Sequence, residues 1–112
     1  MKKIEAVIRP HLLDKVKDAL ETIGFYGMTV TDAFGSASGD RQRVFYRTTE
    51  YQMEFVQMLK LEMVLDDDDA EAACSAIFNA ARTGKPGDGK VWVCSLDAVA
   101  RIRTGEWNVN AV

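Results

Sequence analysis

The sequence has little of what marks secreted, membrane-spanning or metal-binding proteins. It contains two cysteines, two prolines and one histidine in 112 residues. Neither Cys74 nor Cys94 has a second cysteine or a histidine at metal-ligand spacing, which favours reduced, buried cysteines over a disulfide or redox pair. No apolar run approaches the ~20 residues that cross a bilayer, and the opening MKKIEAVIRP does not resemble a signal peptide. We therefore expect a cytoplasmic protein that is not embedded in a membrane.

Excess basic charge and recognisable catalytic combinations are also missing. A net charge of −3 argues against a nucleic-acid binder, whose affinity comes from lysine and arginine. The single histidine, His11, stands at a predicted helix start, and we find no Ser-His-Asp or Cys-His arrangement. The acidic run 66–69 is interpreted as the capped, solvated start of a helix rather than a cation site. We therefore predict a protein that is not an enzyme and requires no metal.

What is present is a regular succession of strand and helix patterns. Alternating apolar residues predict strands in KKIEAVIRP, GMTVTDAFG, QMLKLEMVL and KVWVCSL, and helical stripes follow the first and third of them. The order β-α-β-β-α-β predicts one α+β domain over residues 1–112, a ferredoxin-like sandwich with both helices on one sheet face. The other face carries Val7, Thr29, Val64, Trp92 and Cys94 among its charges. That face is apolar enough that we expect oligomerisation to cover it.

A long segment of another character separates the second and third strands. SASGDRQRVFYRTTEY holds small, polar and basic residues without a clear period. Compact domains seldom keep such a loop without a use for it. We interpret it as a loop that contacts another protein; a flexible insertion without a binding role is the alternative.

A glycine-rich segment suggests an anion site. TGKPGDGKV fits the pattern G-x-x-x-x-G-K, but it follows a helix and opens a strand, whereas a true P-loop follows a strand and opens a helix. Its glycines Gly84, Gly87 and Gly89 would still let backbone N–H groups approach an anion, and Lys85 and Lys90 add positive charge. A glycine-rich turn without a ligand is the alternative.

A second basic element lies near the end of the chain. In RIRTG, Arg101 and Arg103 are two residues apart, which in an extended segment places both guanidinium groups on one side and Ile102 on the other. Such a pair suits a phosphate or carboxylate, although it also occurs as plain surface charge. With the glycine loop it forms a candidate diphosphate clamp. Val91 stands where a P-loop has the hydroxyl that binds Mg²⁺, so we predict binding without turnover.

The order and spacing of these segments carry a family resemblance. MKKIEAVIRP, GMTVTDAFG, YRTTEY, TGKPGDGK and RIRTGE resemble, in order, the landmarks of the PII signalling proteins over nearly the whole chain. The resemblance implies a homotrimer that binds ADP, AMP or ATP in the clefts between subunits. It also implies an effector loop at 36–53 that contacts a transporter or enzyme, a phosphate-binding loop at 83–90 and a C-terminal segment at 97–112. Tyr51 matches a tyrosine that some members have uridylylated; an unmodified loop tyrosine is the alternative.

The resemblance further implies which residues bind the nucleotide. They are Val7, Thr29, Gly35, Glu62, Val64, Gly87, Asp88, Gly89, Lys90, Trp92, Arg101 and Arg103. The residues of the 83–90 loop would contact the phosphates, and the two arginines would reach the same nucleotide from the neighbouring subunit. The apolar members would line the cleft, with Thr29 and Glu62 toward the adenine and ribose. A core position for Trp92 and a plain surface position for Glu62 are the alternatives.

The chain departs from the family pattern at two places. Members usually have Gly-Arg-Gln shortly after the glycine matching Gly35, where the arginine serves the γ-phosphate and the glutamine contacts Mg²⁺ and 2-oxoglutarate. Here 36–39 reads SASG, and an Arg-Gln-Arg run comes later, at 41–43. Met58 stands where a family lysine pairs with a 2-oxoglutarate carboxylate. We therefore expect ADP and AMP to compete well with ATP, and bicarbonate to be a candidate second effector for a partner in inorganic-carbon assimilation.

Three other functions remain as alternatives. The first is a conventional nitrogen regulator that senses ATP and 2-oxoglutarate and controls ammonium transport or glutamine synthetase. The second is a small hydrolase on the same fold, which released phosphate would reveal. The third is an RNA-recognition module, which shares this topology but stacks bases on exposed aromatic residues of the central strands. Trp92 is the only aromatic residue clearly placed on such a strand, and the acidic charge disfavours this function.

Overall fold

The computed structural model describes residues 1–36 and 55–112. Its strands are β1 (Lys2–Ile8), β2 (Thr29–Gly35), β3 (Val56–Leu65) and β4 (Lys90–Ser95), and its longer helices are α1 (Leu13–Thr22) and α2 (Ala70–Ala81). The order β1-α1-β2-β3-α2-β4 confirms the predicted α+β, ferredoxin-like sandwich. The predicted effector loop, apart from Ser36, lies outside the described residues, and so does Tyr51.

The four strands form one antiparallel sheet in the order β2-β3-β1-β4. The central strand β1 pairs with β3 on one side, where Glu5 lies opposite Glu62, and with β4 on the other, where Glu5 lies opposite Trp92. The edge strand β2 pairs with β3, and Thr29 also lies opposite Glu62. This arrangement is the one that two interleaved right-handed β-α-β crossovers produce.

The core lies between the sheet and the two helices. Ile4, Ala6 and Ile8 alternate along β1 and are buried, as the period-2 pattern predicts. Val16 and Leu20, one turn apart on α1, close the core from the helix side. The other buried members are Leu61, Met63, Leu65, Ala70, Ala73, Ile77, Ala80 and Ala81. Because α2 contributes mostly alanine, its Ile77 supplies the largest buried side chain of that helix.

The predicted helical stripes differ from the structure at their margins. The apolar spacing of Val16 and Leu20 predicts that Ile23 continues the stripe of α1, but the helix ends at Thr22 and Ile23 is half-exposed. The reason is a tightened last turn, in which the Ile23 N–H donates to the Leu20 carbonyl at 3.2 Å. Phe78 of α2 is also half-exposed, and the guanidinium of Arg82 lies 5.2 Å from its ring centroid. This distance is that of a cation–π contact at the surface.

Three further features of the structure concern predictions made from the sequence. The acidic run forms a 3-10 turn, Asp67–Asp69, in which the Asp66 side chain accepts from the Asp67 N–H at 2.7 Å. Asp69, which directly precedes α2, makes no side-chain capping bond, so the expected cap of that helix is not formed by its neighbouring acid. Cys74 and Cys94 are free thiols, but both are half-buried rather than fully buried. Within residues 1–36 and 55–112, no helix is long and apolar enough to cross a bilayer.

Candidate functional site

The loop 83–90 connects α2 to β4 and passes directly against β1. Gly84, Gly87 and Gly89 have φ angles of 83°, 94° and 94°, in the left-handed region that favours glycine. At Gly89 the approach is closest, because a Cβ there would lie 1.7 Å from the carbonyl oxygen of Val7. No side chain fits at that distance, so the path of the backbone itself requires glycine at position 89.

The carboxylate of Asp88 joins the start of this loop to its end. Its Oδ2 accepts from the backbone N–H groups of Thr83 and Gly84, each at 2.9 Å. Its Oδ1 accepts from the Thr83 hydroxyl and from Nε of Arg9, the latter at 3.1 Å. Arg9 Nη2 also donates to the Pro86 carbonyl at 2.7 Å. The hydrogen bonds from Thr83, with those from Arg9 and Gly84, hold the pKa of Asp88 far below its usual value. Asp88 is therefore ionised at neutral pH, and its hydrogen bonds are made to the loop and to Arg9.

The loop forms one wall of a cavity on the outer sheet face, by which we mean the face opposite α1 and α2. The cavity has a volume of about 430 Å³, within the range of about 300–1,000 Å³ usual for small-molecule sites. The predicted site residues in its lining are Val7, Gly35, Gly87, Asp88, Gly89, Lys90 and Trp92. Trp92 is 38% exposed, so the alternative of a core position for it is wrong.

A second, smaller hollow lies on the same sheet face. It has a volume of about 300 Å³, and its lining includes the predicted residues Thr29, Glu62 and Val64 together with Lys3. These residues share a place because β2 and β3 pair with Thr29 opposite Glu62. Within one chain they line a hollow separate from the cavity beside the 83–90 loop.

The C-terminal segment is not extended at RIRTG, which is the condition under which spacing by two would place both guanidinium groups on one side. Residues 102–104 form a turn, in which the Arg101 N–H donates to the Glu106 carbonyl and the Gly105 N–H donates to the Arg101 carbonyl, both at 2.8 Å. Because these two bonds close the chain on itself, spacing by two does not by itself place the side chains of Arg101 and Arg103 on one side. Arg101 Nε donates to the Ala111 carbonyl at 3.3 Å, and Arg103 is exposed. The structure places neither arginine in the lining of the two hollows above.

A network of charges occupies the centre of the outer sheet face. Glu5 is buried there, with Lys3 Nζ 2.5 Å from its Oε1 and Lys60 Nζ 3.7 Å from its Oε2. Lys60 Nζ also lies 3.2 Å from Glu62 Oε1. The hydrogen bond from Lys3 lowers the pKa of Glu5, and the charges of both lysines act in the same direction against the effect of burial. A carboxylate so held contributes to stability only while it is ionised.

Acid should therefore destabilise the fold partly through Glu5. Since its pKa is lower in the folded chain, the ionised form stabilises the fold above the ordinary value of 4.5, and this contribution is lost as pH falls through the folded pKa. We expect Glu5→Gln to be less stable than the parent protein at neutral pH and to show a flatter stability profile between about pH 5 and pH 3. Thermal unfolding across that range measures both effects.

The matched control for this experiment is Glu71→Gln, which removes an exposed carboxylate from the first turn of α2. It should follow the pH profile of the parent protein more closely than Glu5→Gln does. Parallel profiles for the parent protein and Glu5→Gln would show that the ion pairs of Glu5 do not stabilise the fold.

Sequence reasoning missed Arg9 and Glu5 as parts of this region. Both lie on or just after β1. Arg9 and its partner Asp88 are 79 positions apart. Lys3 is on the same strand as Glu5, but only the register of β1 against β3 brings Lys60 and Glu62 beside them. In the described ranges, no group of three or more His, Cys, Asp or Glu side chains is arranged to hold a metal ion.

Comparison with known proteins gives similarity along the whole chain. The family model described as "Nitrogen regulatory protein P-II" matches residues 1–106. A protein of Rhizobium meliloti named "Nitrogen regulatory protein P-II" is 48% identical over 112 residues, which cover 100% of both chains. Proteins of the same name from Nostoc punctiforme and Synechocystis sp. are 49% and 46% identical over 114 residues, again covering 100% of both chains. The match thus includes the 83–90 loop, both hollows and most of the C-terminal segment.

Proposed function

Because the chain belongs to the nitrogen regulatory protein P-II family, we propose that it is a non-catalytic signalling protein that binds adenine nucleotides between the subunits of a homotrimer. Proteins of this family are signalling proteins that bind effectors and partner proteins. The observation that carries the proposal is the 430 Å³ cavity in which the glycine loop, Lys90 and Trp92 converge. We infer that the protein acts in the cytoplasm and contacts its partner through the segment 36–53.

The chemistry of the cavity suits a phosphorylated ligand with a flat base. Lys85 and Lys90 supply ammonium groups beside Gly87 and Gly89, where the backbone can approach an anion without obstruction by a side chain. Trp92 supplies apolar surface on the same wall of the sheet. A nucleotide in this cavity would thus find both positive charge and an aromatic surface in the lining.

The division of the predicted residues among separate places supports a site shared between subunits. Lys90 and Trp92 line one cavity, Thr29 and Glu62 line another, and Arg101 belongs to a turn that lines neither. A single chain therefore offers only part of the contact set that the family pattern assigns to one nucleotide. A neighbouring copy that presents its own Thr29, Glu62 and arginines would complete the set and cover the exposed side of Trp92.

The SASG sequence at 36–39, which lacks the family arginine for the γ-phosphate, favours ADP and AMP over ATP, whereas Met58 disfavours 2-oxoglutarate as the second effector. Met58 is buried and lines the cavity, and its Cε lies 3.4 Å from the place where a Cβ on Gly89 would be. By the family resemblance, this thioether stands where other members have a lysine. A dicarboxylate there would lack a charge-assisted hydrogen bond worth roughly 1.5–3 kcal/mol. We propose that bicarbonate takes the second place and that the partner serves inorganic-carbon assimilation.

A conventional nitrogen regulator is the second candidate, and the names of the relatives favour it. In this role ATP and 2-oxoglutarate would bind in a mutually dependent way and control ammonium transport or glutamine synthetase. The relatives at 46–49% identity carry the name nitrogen regulatory protein. The two candidates differ in which small molecule is coupled to which nucleotide, and titration can separate them.

Calorimetric titration of ATP, ADP and AMP, each repeated with 2-oxoglutarate and with bicarbonate, tests the proposal. We expect bicarbonate to tighten ADP or AMP and 2-oxoglutarate to change nothing, since linked sites shift each other's affinity by the same factor. We expect Met58→Lys to gain a response in which 2-oxoglutarate tightens ATP by about tenfold, the low end of a charge-assisted hydrogen bond.

The control for Met58→Lys is Met58→Leu, which keeps the apolar volume and adds no charge. It should bind nucleotides as the parent protein does, and thermal unfolding of both variants checks that a lysine at this buried position leaves the chain folded. Tightening of ATP by 2-oxoglutarate in the parent protein would favour the nitrogen regulator instead. Steady release of phosphate from ATP would contradict the non-catalytic role.

A further inference from the structure

We propose that Arg9 and Asp88 are positioning residues for the phosphate-binding loop, and that they set its affinity for phosphates without donating to a ligand. We call the pair, with its bonds to Thr83, Gly84 and Pro86, the Arg9–Asp88 clasp. The inference rests on the proposed nucleotide binding and adds to it the reason why the loop is held in a shape that can accept phosphates. The family resemblance placed Asp88 among the nucleotide contacts. The proposal instead makes Asp88 a residue that positions the loop.

The bonds of Asp88 show why it is a poor phosphate contact. Both carboxylate oxygens already accept hydrogen bonds from the loop: Oδ2 from two backbone N–H groups, and Oδ1 from the Thr83 hydroxyl. Oδ1 also accepts from Arg9. A carboxylate in the lining of the cavity would repel a phosphate unless its charge were compensated. The guanidinium of Arg9 supplies that compensation at 3.1 Å.

Arg9 is suited to this task by its geometry. Its Nε donates to Asp88 and its Nη2 donates to the Pro86 carbonyl, so one planar group fixes two points of the loop at once. The side chains of Arg9 and Asp88 are 18% and 23% exposed, so solvent screens this pair less than it screens a surface pair. A lysine would keep the charge but could not reproduce both bonds in the same directions.

Strand β1 provides the rigid base for the clasp. Val7, two residues before Arg9, lies opposite Lys90 in the register of β1 and β4, and its carbonyl oxygen sets the close approach at Gly89. The loop is therefore tied to one central strand at its end through Gly89 and near its middle through Arg9. Removing Arg9 would loosen the stretch between Thr83 and Asp88 and leave the negative charge of Asp88 uncompensated beside the cavity.

Titration of AMP, ADP and ATP into four variants tests the clasp. In Arg9→Gln the carboxylate loses its counter-charge, so we expect affinity to fall by roughly 10- to 100-fold for ATP, less for ADP and least for AMP. Asp88→Asn should show a smaller loss in the same order. Arg9→Lys should recover part of the affinity. Lys15→Gln, which removes an equal charge from the exposed side of α1, should bind as the parent protein does.

Amide hydrogen exchange without nucleotide separates failure of the clasp from failure of the proposed function. If the clasp holds the loop, exchange at the Thr83 and Gly84 N–H groups should be faster in Arg9→Gln than in the parent protein, while exchange in β1 and β4 is unchanged. Faster exchange with no nucleotide binding in any variant would overturn the proposed function and leave the clasp standing as a structural device. Unchanged exchange, or an equal loss of affinity for all three nucleotides, would overturn the clasp.

Discussion

The Gly89→Ala variant should bind ADP at least about 100-fold more weakly than the parent protein, the size of loss that follows when a site is displaced by about an ångström. A Cβ at this position would lie 1.7 Å from the Val7 carbonyl oxygen, and φ is +94°. The nearest atoms that this Cβ would meet are the backbone carbonyl oxygen and carbon of Val7, and no flexible side chain can give way. Either the 83–90 loop or β1 therefore has to move. We also expect the free energy of unfolding to fall by roughly 3 kcal/mol. Calorimetric titration with ADP and denaturant unfolding measure the two effects.

Gly24→Ala is the matched control, because Gly24 has nearly the same φ, +93°, and a Cβ there meets no atom within 4 Å. It should show only the backbone strain of a left-handed alanine, about 1–2 kcal/mol, and unchanged affinity for ADP. If the two variants lost stability equally and both kept their affinity, the close approach between Gly89 and Val7 would not exist in solution.

The second large effect concerns the core, where Ile77→Ala should lower the free energy of unfolding by roughly 3 kcal/mol. Ile77 has 0% exposure and is the one large side chain that α2 buries, since the other buried members of this helix are alanines. Alanines cannot expand into the space that Ile77 leaves, so a cavity should remain. Denaturant unfolding at one fixed protein concentration gives the difference and avoids shifts caused by subunit association.

Ile23→Ala tests the same substitution at a half-exposed position. Ile23 is 45% exposed just after the end of α1, so its truncation should cost about 1 kcal/mol or less. A loss at Ile23 as large as that at Ile77 would contradict the boundary of the core drawn here. Nucleotide affinity should be unchanged in both variants once each is measured well below its unfolding transition.

The elements that sequence patterns predicted well are those whose burial follows from local periodicity. Ile4, Ala6 and Ile8 point into the core because a strand turns alternate side chains to the same face. The margins of the helices were less predictable, because the end of α1 depends on a local hydrogen bond from Ile23 to Leu20 that leaves no periodic signal. The turn at 102–104 was not predictable for the same reason, because the two backbone hydrogen bonds that close it leave no periodic signal in the sequence.

The candidate site was predicted where it lies on one continuous segment and missed where it depends on strand register. Lys90 and its neighbouring glycines are adjacent in sequence, and the family resemblance added Val7 and Trp92 to them. Arg9 was missed because its contact with Asp88 joins positions 79 residues apart. Nothing in the local sequence of either residue indicates the other, and only the pairing of β1 with β4 brings them within hydrogen-bonding distance.

The pairing of β2 with β3 has a consequence for how a signal would leave the cavity. Gly35, the last residue of β2, lies opposite Val56, the first residue of β3, and both line the cavity with Ser36. The residues on both sides of the segment 37–54 therefore lie in the lining of the same hollow. A molecule bound in the cavity would thus contact residues at both ends of that segment, Ser36 and Val56 among them. Communication between ligand and intervening segment would need no relay through the core, and core mutations that preserve the fold should leave that coupling intact.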